Sequence, residues 1–212
     1  MNKLFFVSIL FFCATGVFGQ DMPLSTIGAI DQDILLPHPV KTGGMPLMEA
    51  LSRRRSAREY AAKELDRQTL SNLLWAAYGF NRSDKRVVPS SQNRQEIEVY
   101  VALRDGIYLY DAANNKLLLC AKGDYRKETG RQDFVADAPL NLLFVADMNK
   151  ASNRDAACTD CGFIAQNVYL FCASEGLACV VRGSFDKAAL HTILKLENHR
   201  EVLLAQTVGY AK

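Results

Sequence analysis

One almost unbroken apolar run, NLLFVAD at residues 141–147, constrains the fold of this chain more than any other stretch of its sequence. Its length suits a strand, and a run without alternating polar residues is typical of a strand that is covered on both sides. The run therefore predicts a central strand of a sheet, buried on both faces.

The segments around this strand predict a mixture of helices and strands. One helix is expected to begin near Pro46 and to run through LMEALSRRR, and a second is capped by Asp66 and ended by Gly79. A long buried helix, DCGFIAQNVYLFCASEGL, should end at Gly176, and DKAALHTILKL should form another. The chain thus has helices first, then a strand meander, and then strands alternating with helices, an order that favours an α+β fold. The other strands are expected at 97–103, 106–111, 116–120, 178–183 and 202–211.

The N-terminus is typical of a secretory signal peptide, because a single lysine precedes the apolar run LFFVSILFFCATGVFG. We expect cleavage after Gly19, which makes residues 1–19 the signal peptide. The run is too short for a good membrane span, so no stable membrane insertion is expected after cleavage. A lipoprotein anchor at Cys13 is the alternative, but Phe11 and Phe12 stand where small residues are wanted.

The remaining chain divides into an arm and one domain. Prolines and the Gly43–Gly44 pair indicate that residues 20–45 form an extended arm over the body, and residues 46–212 have the length of one domain. Loss of Lys3 lowers the formal net charge from +2 to +1, which lacks the basic excess of a nucleic-acid-binding protein. The histidines have no metal-ligand spacing, so no metal site is expected.

A cluster of arginines stands out locally, with Arg53, Arg54, Arg55 and Arg58 close together. On the predicted helix, Arg54 and Arg58 are four residues apart and project from one face, with Ser56 beside them. Guanidinium groups match phosphate oxygens in pairs, so the cluster suits a phosphate receptor. A solvated basic helix face is the alternative.

Three further motifs each have an ordinary and a functional interpretation. The loop VVPSSQNRQ offers hydroxyls and amides for a planar heterocycle or a sugar chain, or is simply a polar loop. In CVVRGSFD, Gly183 lets the backbone approach a ligand, or it only links a strand to a helix. Cys158 and Cys161 at a helix start form either a redox-active pair or part of the helix packing. The sequence has no second C-x-x-C, so a zinc site is not expected.

Taken together and in this order, the motifs resemble the nitroreductase family of FMN-dependent oxidoreductases. Within that family, LPHPVKTGG, LLWAAYGFNR and GIYLYD are most similar to the branch of thiazoline and oxazoline dehydrogenases. The resemblance covers nearly all of residues 46–212, through RRSAR (54–58), PSSQNRQ (89–95), DAPLNLLFVAD (137–147), AQNVYLFCASEGLACVV (165–181), GSFD (183–186) and TVGYAK (207–212).

The resemblance implies a three-layer α-β-α sandwich with a mainly antiparallel central sheet, in an intertwined homodimer with FMN at the interface. It implies that the arginine segment holds the phosphate, the ribityl chain and the N1/O2 ring edge, while Arg53 is solvated. The loop 89–93 would reach FMN from the partner subunit, and the Gly183 backbone would lie near N5. The implied FMN-binding residues are Arg54, Arg55, Ser56, Arg58, Pro89, Ser90, Ser91, Asn93, Gln132, Arg182, Gly183, Ser184 and Lys212.

The resemblance further implies an oxidoreductase that transfers electrons through flavin N5 in a ping-pong mechanism, to or from a small organic substrate. The signal peptide, and not the resemblance, implies that this enzyme is exported. The flavin carries the chemistry, so no catalytic side chain is expected. A periplasmic location would lack the cytosolic NADH and NADPH pools. The alternatives are a non-catalytic flavin-binding or accessory subunit, and a thiol–disulfide oxidoreductase that uses Cys158 and Cys161.

Overall fold

A computed structural model describes residues 33–212, so the expected signal peptide and residues 20–32 of the arm lie outside the described residues. The helices of the described part are α1 (Leu47–Arg53), α2 (Arg67–Tyr78), α3 (Phe134–Asp137), α4 (Arg154–Glu175) and α5 (Lys187–Ile193). The strands are β1 (Ile34–Leu35), β2 (Phe80–Arg82), β3 (Lys85–Arg86), β4 (Ile97–Ala102), β5 (Gly106–Asp111), β6 (Lys116–Lys122), β7 (Leu140–Asp147), β8 (Leu177–Arg182) and β9 (Arg200–Tyr210).

The main sheet has seven strands in the order β1-β6-β5-β4-β7-β9-β8, and every neighbouring pair is antiparallel. Strands β2 and β3 form a separate hairpin. The apolar run at 141–147 lies in β7, between β4 and β9, and every residue of β7 is buried. The prediction of a central strand covered on both faces is therefore confirmed.

Two helical layers cover the two faces of this sheet. Leu142 and Phe144 of β7 belong to the same core as the buried side chains of α2 and α4. Leu143 and Val145 alternate with them and pack instead with Leu190 of α5. The result is the expected α+β sandwich, with the sheet as its middle layer.

Local signals set the ends of the longer helices. The Asp66 side chain accepts a hydrogen bond from Thr69 N at 2.7 Å, and α2 ends at Gly79. Asn153 caps the start of α4, and Gly176 ends it in the left-handed conformation at φ 69°. Helix α4 thus begins earlier than the segment read from the sequence. Within the described part of the chain, no helix is long and apolar enough to cross a membrane.

The prediction that α1 continues through Arg55 is wrong. The helix ends at Arg53, and Arg54 has an extended backbone with ψ 124°. The chain leaves the helix because its next residues bond to distant strands: Ala57 N donates to Cys179 O at 2.9 Å, and Tyr60 forms an antiparallel bridge with Ala211. Arg54 and Arg58 therefore do not share a helix face.

Residues 33–45 run in an extended path over the body of their own subunit. Ile34 and Leu35 pair with β6 at one edge of the main sheet. Side chains of the body then bind the backbone of the arm: Asn72 Oδ1 accepts from Val40 N at 2.8 Å, and Ser174 Oγ accepts from Met45 N at 2.8 Å. This attachment fixes where Pro46 starts α1.

Candidate functional site

The arginine segment, residues 54–58, lies in extended form along the start of β8. Its side chains Arg54, Arg55 and Arg58 are exposed. A cavity of about 500 Å³ opens beside it, between the end of α1, the second half of α4 and the end of β9. The cavity is lined by both main chain and side chains, among them Arg54, Arg55, Tyr169, Cys172, Gly176, Cys179 and Ala211.

Tyr169 of α4 fixes this segment, and the sequence analysis missed it. Its phenol oxygen lies 2.8 Å from Ser56 Oγ and accepts a hydrogen bond from Val181 N at 3.0 Å. The Arg54 guanidinium lies over the Tyr169 ring, 5.1 Å from its centroid. The only sequence signal was a phenol among the apolar residues of the second half of α4, and it could not be told apart from a core side chain.

In the part of the chain that the structure describes, the charges of the arginine segment have no acidic partners. Arg53 also lines the cavity, but its charge pairs with Glu49 one turn earlier on α1. Within residues 33–212, neither Arg54, Arg55 nor Arg58 forms an ion pair with a carboxylate. Exposed guanidinium groups without acidic partners keep their N–H donors available for an anionic ligand.

A second group of predicted residues comes together where β8 ends. Gly183 and Ser184 are exposed, and nothing lies within 4 Å of the position of a Cβ at Gly183. Ser184 O accepts a hydrogen bond from Arg131 N at 3.1 Å, which brings the neighbouring Gln132 to this turn. The Gln132 Oε1 atom is buried and has no donor in the described part of the chain.

Arg182 belongs to this turn by sequence, but its side chain lies in the interior. It is 5% exposed, and its guanidinium bonds to Thr129, Asn141 and Thr207. A ligand at the turn could therefore meet only the main chain of Arg182.

The loop 89–93 lies elsewhere in the same subunit. Ser91 N donates to Asp160 Oδ2 at 2.9 Å on the first half of α4. Tyr169 stands nine residues further along that helix, which places it roughly 13 Å away along the axis. One subunit thus separates Pro89, Ser90, Ser91 and Asn93 from its own arginine segment.

The backbone of this loop is unusual. Gln92, Asn93 and Gln95 have φ angles of 53°, 58° and 50°, in the left-handed region that such residues rarely adopt. The Ser90 hydroxyl accepts from Gln95 N at 3.1 Å and helps to hold the conformation. Strained backbone of this kind is concentrated at binding and active sites.

The last residue, Lys212, is exposed and follows Ala211, which lines the cavity of the arginine segment. The bridge between Tyr60 and Ala211 fixes the end of β9 beside residues 54–60. The chain terminus therefore lies on the same side of the molecule as the arginine segment.

The cysteine motif does not have the environment of a reactive pair. Both residues lie within α4 rather than at its start, and both are free thiols. Burial raises the pKa of Cys161 well above its usual value, which favours the interpretation that this residue is part of the helix packing over that of a redox-active pair. Among the described residues, no three His, Cys, Asp or Glu side chains could together hold a metal ion.

Comparison with known proteins identifies the family of this chain. The family model described as the nitroreductase family matches residues 51–210. A relative from Methanocaldococcus jannaschii, assigned as a nitroreductase, is 30% identical over 177 residues, which cover 74% of this chain and 88% of the relative.

Solved structures show the same likeness. A crystal structure from Ralstonia eutropha, assigned as a nitroreductase, shares 41% identity with a TM-score of 0.82, over 90% of this chain and 95% of that chain. A crystal structure from Desulfovibrio desulfuricans, assigned as a nitroreductase and solved in complex with FMN, has the same fold. It shares 21% identity with a TM-score of 0.61, over 80% of this chain and 88% of that chain.

Proposed function

Because this chain belongs to the nitroreductase family, we propose that it is an FMN-dependent oxidoreductase acting on a small organic substrate. The observation that carries the proposal is the arginine segment, which Tyr169 fixes beside the start of β8 and whose charges have no acidic partner in the described part of the chain. An FMN phosphate would supply the missing counter-charge. The relative solved with FMN has the same fold at low identity, and supports the cofactor from a second direction.

The residues present fit both the phosphate end and the ring end of FMN. Arg54, Arg55 and Arg58 can bind a phosphate with their free N–H groups, and Lys212 stands near enough to the same cavity to add charge. At the other end, the unpartnered Gln132 Oε1 is an acceptor for a ring N–H. The exposed Gly183 leaves its main chain accessible to a planar ring.

We propose a homodimer because one subunit leaves the site incomplete. The loop 89–93 lies on the first half of α4, away from the arginine segment, and would complete the site of the partner. Exposed apolar side chains on neighbouring helices favour such an interface: Phe163 on α4 is 41% exposed, and Met48 on α1 is 76% exposed. Family members are generally dimeric, which agrees with this arrangement.

When bound, FMN supplies hydride and electron transfer through its ring, so the protein needs no catalytic side chain of its own. The chain's residues bind and orient the cofactor. The arginine segment would hold the phosphate, and the Gly183 main chain, with open space where a side chain would stand, would be accessible to the ring. In the ping-pong cycle, a donor would leave before the second substrate occupies the same face.

The electron donor follows from the proposed location. We propose that the chain is exported, to the periplasm of a Gram-negative cell, on the strength of its N-terminal sequence. Since NADH and NADPH pools belong to the cytosol, the enzyme would oxidise an organic substrate and pass the electrons to oxygen or a quinone. Its resemblance to the thiazoline and oxazoline dehydrogenase branch supports an oxidising role.

The test is anaerobic reduction of the flavin-loaded protein, followed by absorbance. We expect slow reduction by NADH and NADPH at ordinary concentrations, and faster reduction by cyclic amine or azoline substrates, with reoxidation by oxygen or a soluble quinone. Rapid reduction by NADH would contradict the proposed direction. Bound flavin that no donor reduces would favour an accessory flavin-binding protein over an enzyme.

A further inference from the structure

A buried arginine, Arg182, lies directly behind the turn at the end of β8, and none of its partners among the described residues is acidic. Four of the five N–H donors of Arg182 are bonded, and all acceptors are neutral: Thr129 O at 2.7 Å, Thr129 Oγ1 at 3.4 Å, Asn141 Oδ1 at 2.9 Å and Thr207 Oγ1 at 2.9 Å. Burial lowers the pKa of Arg182 to about 10, so the group stays protonated at neutral pH. Its charge is therefore permanent and internally unbalanced.

A second buried arginine in the same region, Arg126, has a carboxylate partner that balances its charge. Arg126 is also 5% exposed, but Asp124 accepts two hydrogen bonds from its guanidinium, at 2.9 and 2.7 Å. Its third contact, to Ala138 O at 2.8 Å, is neutral. A buried charge is costly unless it is paired, and Arg126 is paired where Arg182 is not.

The chain makes specific room for the unbalanced guanidinium. A Cβ at Gly130 would stand 2.0 Å from Arg182 Nη1, so any larger residue there would force the guanidinium out of its present position. The Asn141 oxygen that accepts from Arg182 also accepts from Thr207 Oγ1 at 2.7 Å, which fixes the amide. These contacts hold the guanidinium in one place.

The Arg182 guanidinium contacts a segment that adjoins the Gly183–Ser184 turn of the proposed FMN site. Thr129 contacts it directly, while Arg131 and Gln132 of the same segment reach the Gly183–Ser184 turn. On another side, burial raises the pKa of Tyr60, and the positive charge of Arg182 opposes that rise. Tyr60 donates to Ala57 O within the arginine segment at 2.9 Å. Tyr60 thus connects the surroundings of Arg182 with the arginine segment.

We propose that Arg182 is a positioning residue that supplies the fixed counter-charge for the negative charge gained by bound FMN on full reduction. The inference rests on the proposed function. A donor that gives up a hydride leaves the ring with one added negative charge, and no proton moves to or from Arg182. A fixed positive charge in a dry interior stabilises that form over the oxidised one, and so raises the reduction potential of the bound cofactor.

Three variants separate charge from packing. Arg182→Gln removes the charge, while Arg182→Lys keeps it with fewer hydrogen bonds. Asn141→Asp leaves Arg182 in place and gives it a carboxylate partner of the same shape, at the loss of the bond from Asn141 Nδ2 to Val135 O. The Asp124→Asn/Arg126→Gln double variant is the control, because it removes an equally buried arginine whose charge is already balanced.

The measurement is the midpoint potential of bound FMN together with the affinity for oxidised FMN. We expect Arg182→Gln and Asn141→Asp to lower the preference for reduced over oxidised FMN by roughly tenfold. Arg182→Lys and the control should stay near the native value. An unchanged midpoint potential in a folded, FMN-loaded Arg182→Gln protein would overturn the inference. If Arg182→Gln does not fold, an unchanged potential in Asn141→Asp would overturn it instead. A native protein that binds no FMN would instead refute the proposed function, and the inference with it.

Discussion

Ser56 Oγ lies 2.8 Å from the phenol oxygen of Tyr169, and that oxygen also accepts the N–H of Val181 from the edge strand β8. A helix residue thereby fixes an extended, arginine-rich segment to the sheet. The arrangement lets Arg54 rest on the Tyr169 ring with its guanidinium exposed. The position of the proposed phosphate site thus depends on one hydroxyl in the interior.

Removal of that hydroxyl should loosen the segment. We expect Tyr169→Phe to lower the free energy of unfolding by about 1–2 kcal/mol and to weaken FMN binding several-fold, because two hydrogen bonds are lost. Tyr100→Phe is the matched control, since its hydroxyl bonds to Glu98 among residues of the other core. Equal effects of the two variants on FMN affinity, measured by fluorescence quenching, would count against a role for Tyr169 in the site.

Two adjacent arginines should differ sharply in their contribution to cofactor binding. Arg54→Ala should raise the dissociation constant of FMN by roughly 10- to 100-fold, the effect of losing a charge-assisted contact of about 1.5–3 kcal/mol. Arg53→Ala should leave it unchanged, because Arg53 pairs with Glu49. Titration of the apoprotein with FMN distinguishes the two, and similar losses in both variants would indicate only a general effect of net charge.

The proposed dimer predicts that a charge on the exposed face of α4 will separate the subunits. Phe163→Glu should shift the protein to monomer in sedimentation velocity and should weaken FMN binding at the same time, since each site would lose the partner's loop. Ala188→Glu places the same charge on α5, in the opposite layer, and should change neither. A monomeric native protein that still binds FMN tightly would contradict the shared site.

A buried carboxyl beneath the loop 89–95 should make stability depend on pH. Glu96 is 1% exposed, and neither of its oxygens has a partner in the described part of the chain. Burial raises the pKa of Glu96, and the neighbouring Asp160 adds to the rise, while Arg94 opposes it. Tyr78 and Cys161 also face the pair and are themselves kept neutral by burial.

The sign of the effect follows from the raised pKa. The neutral carboxyl favours the folded state below the usual pKa near 4.5, and this stability is lost as pH rises through the folded-state value. Glu96→Gln stays neutral, so at pH 8 we expect it to be more stable than the native protein by more than about 1 kcal/mol. Urea unfolding from pH 4 to 8 provides the comparison, with Glu128→Gln at an exposed position as the control. Parallel pH profiles for native protein and Glu96→Gln would disprove the neutral state.

The cysteine motif should be dispensable for electron transfer. Both thiols are free, and Cys161 is buried with a raised pKa, so neither feature favours thiolate chemistry. We expect the Cys158→Ser/Cys161→Ser double variant to retain bound FMN and substrate turnover. Because Cys161→Ser places a polar group in the core, Cys161→Ala replaces it if the protein yield is low. Loss of activity with flavin still bound would revive the thiol–disulfide alternative.

Local signals predicted most of the fold. Asp66 and Gly79 bound α2 as expected, and β5 has the predicted limits because turns flank a short apolar segment. The end of α1 could not be predicted in this way. Arg54 has a good helix propensity, but the hydrogen bond from Ala57 to Cys179 overrides it, and that partner lies more than a hundred residues away in the sequence.

The sequence predicted which motifs belong to the candidate site, but not the contacts that hold these residues in place. The arginine segment and the Gly183 turn are visible as residue types with phosphate-binding and close-approach chemistry. The interior position of the Arg182 side chain depends on Thr129, Asn141 and Thr207, which come from three separate segments. Tyr169 was hidden for the same reason, since its partners Ser56 and Val181 meet only in the folded chain.

The central claim is that the exposed arginine segment and the Gly183 turn form an FMN site. The most direct measurement is the absorbance spectrum of the purified mature protein after mixing with excess FMN and desalting. The account predicts retained flavin bands in an equimolar ratio to subunits, and their loss in Arg54→Ala. A folded, dimeric protein that emerges colourless would contradict it.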